Sequence, residues 1–204
     1  MHALKAAYLY HSSPSPTLDP GAIRAYLDEL LPGVEIHLRG AYEDALGGVD
    51  PATLAAAIIE GIAAPTDPVN LAGVEPVIYN AVHLAAAMAK VIPRDEARLD
   101  CLHIDLSHRL MGTWDERDNR YHLRTVLCFQ PSIVSIPGLV EAPARPRKYA
   151  IMRMQFEALR MPDAIAELDE EYAGSFLTHG DERLTEVAKG YVMQAVFHRL
   201  TGEA

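Results

Sequence analysis

Side chains that can bind a metal gather in the central part of this sequence, residues 99–160. Asp105, His108 and His122 lie there, and carboxylate oxygens and imidazole nitrogens are ligands of transition metals in proteins. They could hold a divalent metal such as zinc only if the strand that carries Asp105 ends by Ser107, because His108 would otherwise point to the opposite face. A metal held there would activate a water molecule for hydrolysis.

Two carboxylates of the same region could take a proton from such a water molecule. Asp115 lies in a polar loop and Glu141 follows a short apolar run, and either acid could be the general base. The loop also carries the only tryptophan of the chain, among acids and arginines, where so large an apolar side chain is typical of a contact residue. The candidate substrate-binding residues are Trp114, Arg120, Tyr121, Arg124 and Arg147. The alternative is that Trp114 folds back over the edge of a sheet while the charged side chains are solvated.

Two strand-like runs flank this loop, and their pairing decides whether the polar residues meet. Apolar and polar residues alternate in residues 101–106 and 121–129, so each run should send its side chains to two faces of a sheet. An antiparallel hairpin would join the two runs. One register of this hairpin pairs His103 with Arg124 and Asp105 with His122. A slip by one residue would destroy this polar face, and the alternative is a half-solvated sheet with ordinary cross-strand pairs.

The composition is that of a globular protein. The chain has 204 residues, of which 50% are hydrophobic and 23% charged, and a domain of this length can bury a core. Its formal net charge of -10 argues against binding to nucleic acid. The apolar run at the N-terminus is too short for a secretory signal, and no apolar segment approaches the length that spans a membrane. We therefore expect a cytoplasmic protein with no membrane partner.

The pattern along the chain predicts the remaining strands and helices. Strands are expected at residues 4–10, 34–38 and 131–136 besides the two central runs, and helices at 20–31, 51–62, 77–91, 146–160, 162–177 and 181–200. The first strand, helix and strand should form a parallel βαβ unit. Gly190 interrupts the last helix, which predicts close packing against a neighbouring element. The sequence thus predicts one mixed α/β domain over residues 1–204, with a roughly five-stranded sheet in residues 1–138 and helices in residues 139–204.

A basic cluster at the start of a predicted helix offers a third kind of chemistry. Arg145, Arg147 and Lys148 lie where free backbone N–H groups and the helix dipole favour an anion. These side chains could bind a carboxylate or a phosphate. The alternative is a solvated basic patch that offsets part of the acidic surface.

Several segments of the chain resemble a known family. Leu102–Asp105, Arg109–Arg124, Pro131–Ser135 and Gly138–Ala144 are similar to segments of an uncharacterised prokaryotic family assigned to the metallopeptidases. The order of the elements also resembles that of the archaemetzincins, which are zinc peptidases with a mixed α/β fold. The resemblance implies a zincin-like fold and hydrolysis of a peptide-type bond with a bound metal.

The resemblance also implies positions for the peptide-binding strand and the zinc-binding helix. In a zincin, an antiparallel edge strand binds the peptide as a further strand, and the helix after the next strand carries the zinc motif H-E-x-x-H. Residues 121–129 would be this edge and residues 146–160 this helix, yet the chain contains no H-E-x-x-H and residues 147–154 offer no zinc ligand. Two functions therefore stay open. The first is a metal-dependent peptidase with its site at the polar face and Glu141, and the second is an inactive relative that binds a peptide or protein segment along the edge strand.

Overall fold

The structure, a computed structural model, describes residues 3–12, 15–63 and 77–202 as one mixed α/β domain. Within these ranges the strands are Ala6–His11 (β1), Glu35–Arg39 (β2), Ile58–Ala63 (β3), Val77–Asn80 (β4), Cys101–Ser107 (β5), Leu110–Asp115 (β6), Arg120–Arg124 (β7), Val126–Leu127 (β8) and Ser132–Ser135 (β9). The helices are Pro20–Leu30 (α1), Tyr42–Ala45 (α2), Pro51–Ala55 (α3), Ala81–Ala89 (α4), Ile136–Glu141 (α5), Arg147–Ala158 (α6), Pro162–Glu171 (α7) and Leu184–Thr201 (α8). The predicted fold class is confirmed, with two sheets in place of one.

The larger sheet has five strands in the order β2-β1-β5-β9-β8. Its first four strands are parallel, and β8 runs antiparallel to β9 at the edge. The predicted βαβ unit is confirmed, because β1 and β2 are parallel and α1 connects them. Asp19 caps α1 by accepting a hydrogen bond from the backbone N–H of Ala22, and Pro20 occupies the first helical turn.

The central strand β5 is covered on both sides. Leu102, Ile104 and Leu106 share one face and pack in a core that includes residues of α1 and α8, as the alternation predicts. A second core, which includes Tyr10, Ile133 and most of α4, lies on the other side of the sheet. Every residue of β5 is buried, as is usual for a parallel strand between two layers of helices.

The smaller sheet has four strands in the order β3-β4-β6-β7, with β7 at one edge. β6 and β7 form an antiparallel hairpin in which Thr113 pairs with His122. Tyr121 and Leu123 pack against a small core, so His122 and Arg124 lie on the opposite face of β7. The alternation predicts this separation correctly.

The predicted hairpin between residues 101–106 and 121–129 is wrong. β5 pairs in parallel with β1 and β9, and the residues of β1 opposite His103 and Asp105 are Tyr8 and Tyr10. The other run contributes to a different sheet, where it pairs with β6. The predicted pairs of His103 with Arg124 and of Asp105 with His122 therefore do not form.

This error has a physical cause in the segment between the two runs. Residues 110–115, predicted as part of a loop, form β6 and take the position beside β7. Residues 121–129 also divide at Thr125 into two short strands, and each of them lies at the edge of a different sheet. The second half, β8, pairs with β9.

Three predicted helices are shorter in the structure. The helix predicted at 51–62 ends at Ala55, and residues 58–63 form β3. The helix predicted at 77–91 starts only after Asn80, whose side chain accepts hydrogen bonds from the N–H groups of Val82 and His83. The helix predicted at 162–177 ends at Glu171. None of the helices within the described ranges has the length and apolar character needed to cross a membrane.

Candidate functional site

A cleft of about 890 Å³ opens between the end of α5, the helices α6 and α7, and the segment that leads to α8. Its walls carry charged side chains from each of these elements together with the aromatic rings of Tyr149, Tyr172 and Phe176. Proteins bind small molecules and peptide segments in concave sites of this kind, where a few polar groups converge. Among the predicted site residues, Glu141 lines this cleft.

Glu141 and His179 form a hydrogen-bonded pair in the cleft. Oε1 of Glu141 lies 2.7 Å from Nε2 of His179, and their side chains are 14% and 22% exposed. Glu141 is the last residue of α5, and Ser135 fixes the start of that helix. The Oγ of Ser135 accepts a hydrogen bond from the N–H of Gly138 and donates one to the backbone oxygen of Arg109. A carboxylate held beside an imidazole can accept a proton from water and pass it on.

Sequence reasoning proposed Glu141 and missed His179 as its partner. The two residues are 38 positions apart, and His179 lies between α7 and α8, where no helical or strand spacing relates it to another residue. The one available signal is that His179 is the only histidine of the segment 172–183.

Hydrogen bonds and ion pairs hold the other polar side chains of the cleft wall in position. The Tyr149 hydroxyl donates a hydrogen bond of 2.8 Å to Asp169, and Arg153 donates one of 2.8 Å to the same carboxylate. Burial and this hydrogen bond raise the pKa of Tyr149. Arg183 holds Asp181 at 2.6 Å, and its hydrogen bonds lower the pKa of Asp181 to about 2. Asp181 is therefore ionised and paired with Arg183 at neutral pH.

Three potential metal ligands meet at the tip of the β6–β7 hairpin. Asp115, Asp118 and His122 each offer one ligand atom, these atoms lie within 4.8 Å of one another, and no other such group occurs in the part of the chain that the structure describes. Nε2 of His122 lies 2.7 Å from Oδ2 of Asp118, and Nε of Arg120 donates to the same oxygen at 2.6 Å. Two carboxylates and an imidazole match the ligands of zinc in kind and in number. A metal here would compete with Arg120 for Asp118.

The predicted contact residues of this hairpin lie on both of its faces. Trp114 is 47% exposed and meets the ring of Tyr121 edge to face, with the ring centroids 5.1 Å apart. Arg124 lies on the face of His122 and donates a hydrogen bond of 2.7 Å to the Thr113 hydroxyl. Arg147, the remaining predicted contact residue, is exposed at the start of α6 and does not line the cleft.

Asp105 and His108 are not brought together with His122. β5 ends where the predicted metal site requires, but Asp105 is wholly buried in the larger sheet, whereas His122 belongs to the smaller one. The Ser12 hydroxyl donates a hydrogen bond of 3.0 Å to Oδ1 of Asp105. Burial, and then the nearby carboxylate of Glu43, raise the pKa of Asp105 to about 7. The three predicted ligands therefore form no group within 4.8 Å.

His103 is enclosed as well. The Tyr10 hydroxyl lies 2.9 Å from Nδ1 of His103, and the ring of Tyr8 stacks on the imidazole at 4.7 Å. Burial lowers the pKa of His103 to about 4, so this imidazole is neutral at pH 7. The face of β5 that was predicted to form a polar site is thus part of the interior.

The fold and the cleft together define a mixed α/β protein in which a carboxylate and an imidazole meet in a concave site, an arrangement that hydrolases use. The chain belongs to the family described as "Probable metallopeptidase family (DUF6775)", whose model matches residues 3–204. No curated protein and no solved structure matches the chain. The predicted resemblance to a metallopeptidase family is therefore confirmed, and the resemblance to the archaemetzincins stays a prediction.

The structure changes the positions that the resemblance implied for the edge strand and the helix. The antiparallel edge of the larger sheet is β8 alone, not the whole of residues 121–129. The next strand is β9, and the helix directly after it is α5, not residues 146–160. The sequence of α5 is IPGLVE, in which Glu141 is the one side chain that can bind a metal or accept a proton.

Proposed function

We propose that this chain hydrolyses a peptide-type bond in the cleft, with Glu141 as the general base. The observation that carries the proposal is the hydrogen bond of 2.7 Å between Glu141 and His179 inside a concave site. The volume of about 890 Å³ lies within the range of ligand pockets, roughly 300–1,000 Å³. Membership of a family described as metallopeptidases supports the same class of reaction.

The proposed steps use the groups that the cleft provides. A water molecule beside Glu141 attacks the carbonyl carbon of the bound peptide, and Glu141 accepts the proton that the water loses. The Nε2–H group of His179 donates to the carboxylate and keeps it in position. When the C–N bond breaks, Glu141 returns the proton to the leaving amine. The products are a carboxylic acid and an amine, so that atoms and charges balance.

The cleft alone does not provide enough ligands for the metal that the family implies. A catalytic zinc takes three protein ligands and leaves a position for water. Glu141 and His179 supply two ligands, and no third His, Cys, Asp or Glu atom of the described residues forms a group with them within 4.8 Å. Asp115, Asp118 and His122 fit in kind and number, and a metal that they held would polarise a carbonyl or activate a water molecule.

Hydrolysis of a defined mixture of short peptides, followed by mass spectrometry, tests the proposal. We expect the wild-type chain to cleave peptide bonds and Glu141→Gln to lower the rate by about 10²- to 10⁴-fold, since the amide cannot accept the proton. Glu167→Gln is the matched control, because Glu167 is exposed on α7 and does not line the cleft. Equal rates for the wild-type and Glu141→Gln chains would contradict the role of Glu141, and no cleavage of any peptide would contradict the function.

A second function is favoured by the position of β7, which is the last strand of the smaller sheet among the described residues. An extended peptide could add to this edge through backbone hydrogen bonds, and the exposed ring of Trp114 on the neighbouring strand offers an apolar contact. A chain with this function binds peptides without cleaving them. Trp114→Ala would then weaken binding, and Glu141→Gln would leave it unchanged.

A further inference from the structure

Arg145 is the one cation of the cleft that has no carboxylate partner among the described residues. Each acid that lines the cleft has a basic partner: Glu141 has His179 at 2.7 Å, Glu157 has Arg153 at 2.9 Å, Asp169 has Arg153 at 2.8 Å and Asp181 has Arg183 at 2.6 Å. Arg153 thus pairs with two of these carboxylates and Arg183 with one. Arg145 lines the same cleft, and no carboxylate of the described residues forms an ion pair with it.

The guanidinium of Arg145 is held in place by groups that do not cancel this charge. Nη1 donates a hydrogen bond of 3.0 Å to the backbone oxygen of Leu177, and the cation lies 4.0 Å above the centre of the Phe176 ring. Stacking of this kind leaves the edge of the guanidinium accessible to hydrogen-bond acceptors. A guanidinium has further N–H donors in a planar fork, which matches the two oxygens of a carboxylate.

We infer that the cleft takes peptides that carry a carboxylate, and that Arg145 binds this carboxylate and determines the specificity. The inference rests on the proposed function, because it names the substrate class of the same site. Glu141 is the last residue of α5, Arg145 lies four positions later in the segment that joins α5 to α6, and both line the cleft. A peptide whose carboxylate is bound by Arg145 therefore shares one cavity with the general base. The carboxylate could be the C-terminus of the peptide or the side chain of Asp or Glu.

Binding measurements can separate this inference from the proposed hydrolysis. Calorimetric titration would use the full chain with Glu141→Gln, so that the ligand is not consumed, and short peptides in matched pairs. The two peptides of the first pair differ only in a free or an amidated C-terminus. Those of the second pair differ only in a Glu or a Gln residue. The two pairs together distinguish a C-terminal carboxylate from a side-chain carboxylate. We expect one of the charged peptides to bind about 10- to 100-fold tighter than its neutral counterpart, the range for hydrogen bonds to a charged group.

The variants assign this preference to Arg145. Arg145→Gln should remove the preference and Arg145→Lys should keep part of it, because lysine retains the charge without the planar fork. Arg94→Gln, at an exposed position outside the cleft, makes the same change of charge and should keep the full preference. Equal binding of charged and neutral peptides, a preference that survives Arg145→Gln, or no binding of any peptide would overturn the inference. Cleavage without this preference would leave the proposed function standing, and an Arg145-dependent preference without cleavage would support the carboxylate site alone.

Discussion

Nε2 of His179 lies 2.7 Å from Oε1 of Glu141, although 38 positions of sequence separate the two residues. The contact joins the end of α5, which follows directly from the larger sheet, to the segment between α7 and α8. The proposed base is therefore positioned from one side by the sheet and from the other by a segment of the helical part.

Replacement of His179 should reduce the rate without abolishing it. We expect His179→Ala to lower kcat by about 10- to 100-fold, because the carboxylate loses a hydrogen bond to a charged group. His179→Gln should retain more activity than His179→Ala, since an amide N–H can donate in place of the imidazole. Peptide cleavage rates measure both effects, and His37→Ala, at an exposed position of β2, is the control. Equal losses for the alanine and glutamine variants would contradict a positioning role through this hydrogen bond.

The buried carboxyl of Asp105 should make stability depend on pH. Burial and Glu43 raise its pKa from 3.8 to about 7, so the folded chain binds a proton here that the unfolded chain has lost between these values. The stabilising contribution is therefore complete below about pH 4 and is lost as the pH rises to about 7. We compare the free energy of unfolding of Asp105→Asn with that of the wild type. The difference in favour of the variant should be about 3 kcal/mol larger at pH 8 than at pH 5.

Urea denaturation of the wild type and the variant at both pH values measures this difference. Asp28→Asn, on the exposed face of α1, is the control and should show no such change between pH 5 and pH 8. The same difference between Asp105→Asn and the wild type at both pH values would show that Asp105 does not titrate in this range.

The sequence predicts those parts of the fold that local signals determine. The first helix is marked by Asp19 and Pro20 at its start, and the strands on either side of it pair as predicted. The sequence places residues 110–115 in the loop between the two central runs, whereas they form β6 in the structure. Glycine is favoured at position 112 by a contact between strands, since a Cβ there would lie 3.0 Å from the backbone oxygen of His122 on β7. Strand pairing depends on such distant contacts, which propensity does not encode.

The candidate site residues show the same difference between local signals and distant contacts. Asp115, a predicted base in the loop, and His122, a predicted metal ligand on a strand, lie close together because a short hairpin joins them, although the predicted pairing of that strand is wrong. Asp105 and His122 are 17 positions apart, yet lie in different sheets. Glu141 could be proposed from the sequence as an acid after an apolar run. Its partner His179 belongs to a segment without regular spacing, and only the tertiary structure places it.

Metal binding should depend on the hairpin and not on the cleft, since three ligand atoms lie within 4.8 Å of one another only there among the described residues. Titration with Co²⁺, followed by absorption, should show binding to His122→Ala that is weaker by about 10- to 100-fold or more, because loss of a ligand should cost at least as much as loss of a residue that only orients one. His179→Ala should bind Co²⁺ as the wild type does. Arg120→Gln should bind it more tightly, because Arg120 no longer competes for Asp118. Loss of the metal in His179→Ala alone would place it in the cleft, and no binding by the wild type would remove the hairpin site.

Two glycines should respond in opposite ways to the addition of a methyl group. A Cβ at Gly138 would lie 2.6 Å from the backbone oxygen of Arg124, so α5 can approach β7 only without a side chain at this position. A Cβ at Gly190 would meet no atom within 4 Å, and the close packing predicted there from the sequence is wrong. We expect Gly138→Ala to lower the free energy of unfolding by about 1–3 kcal/mol.

Gly190→Ala should instead raise it by about 0.5–1 kcal/mol, because alanine restricts the unfolded chain and suits the interior of α8. Urea denaturation of both variants beside the wild type measures the two changes, and each serves as the control for the other. Since Gly138 also donates its N–H to Ser135, the residue that starts the helix ending at Glu141, Gly138→Ala should lower peptide cleavage as well. A stable and fully active Gly138→Ala chain would contradict the view that this close contact positions the base.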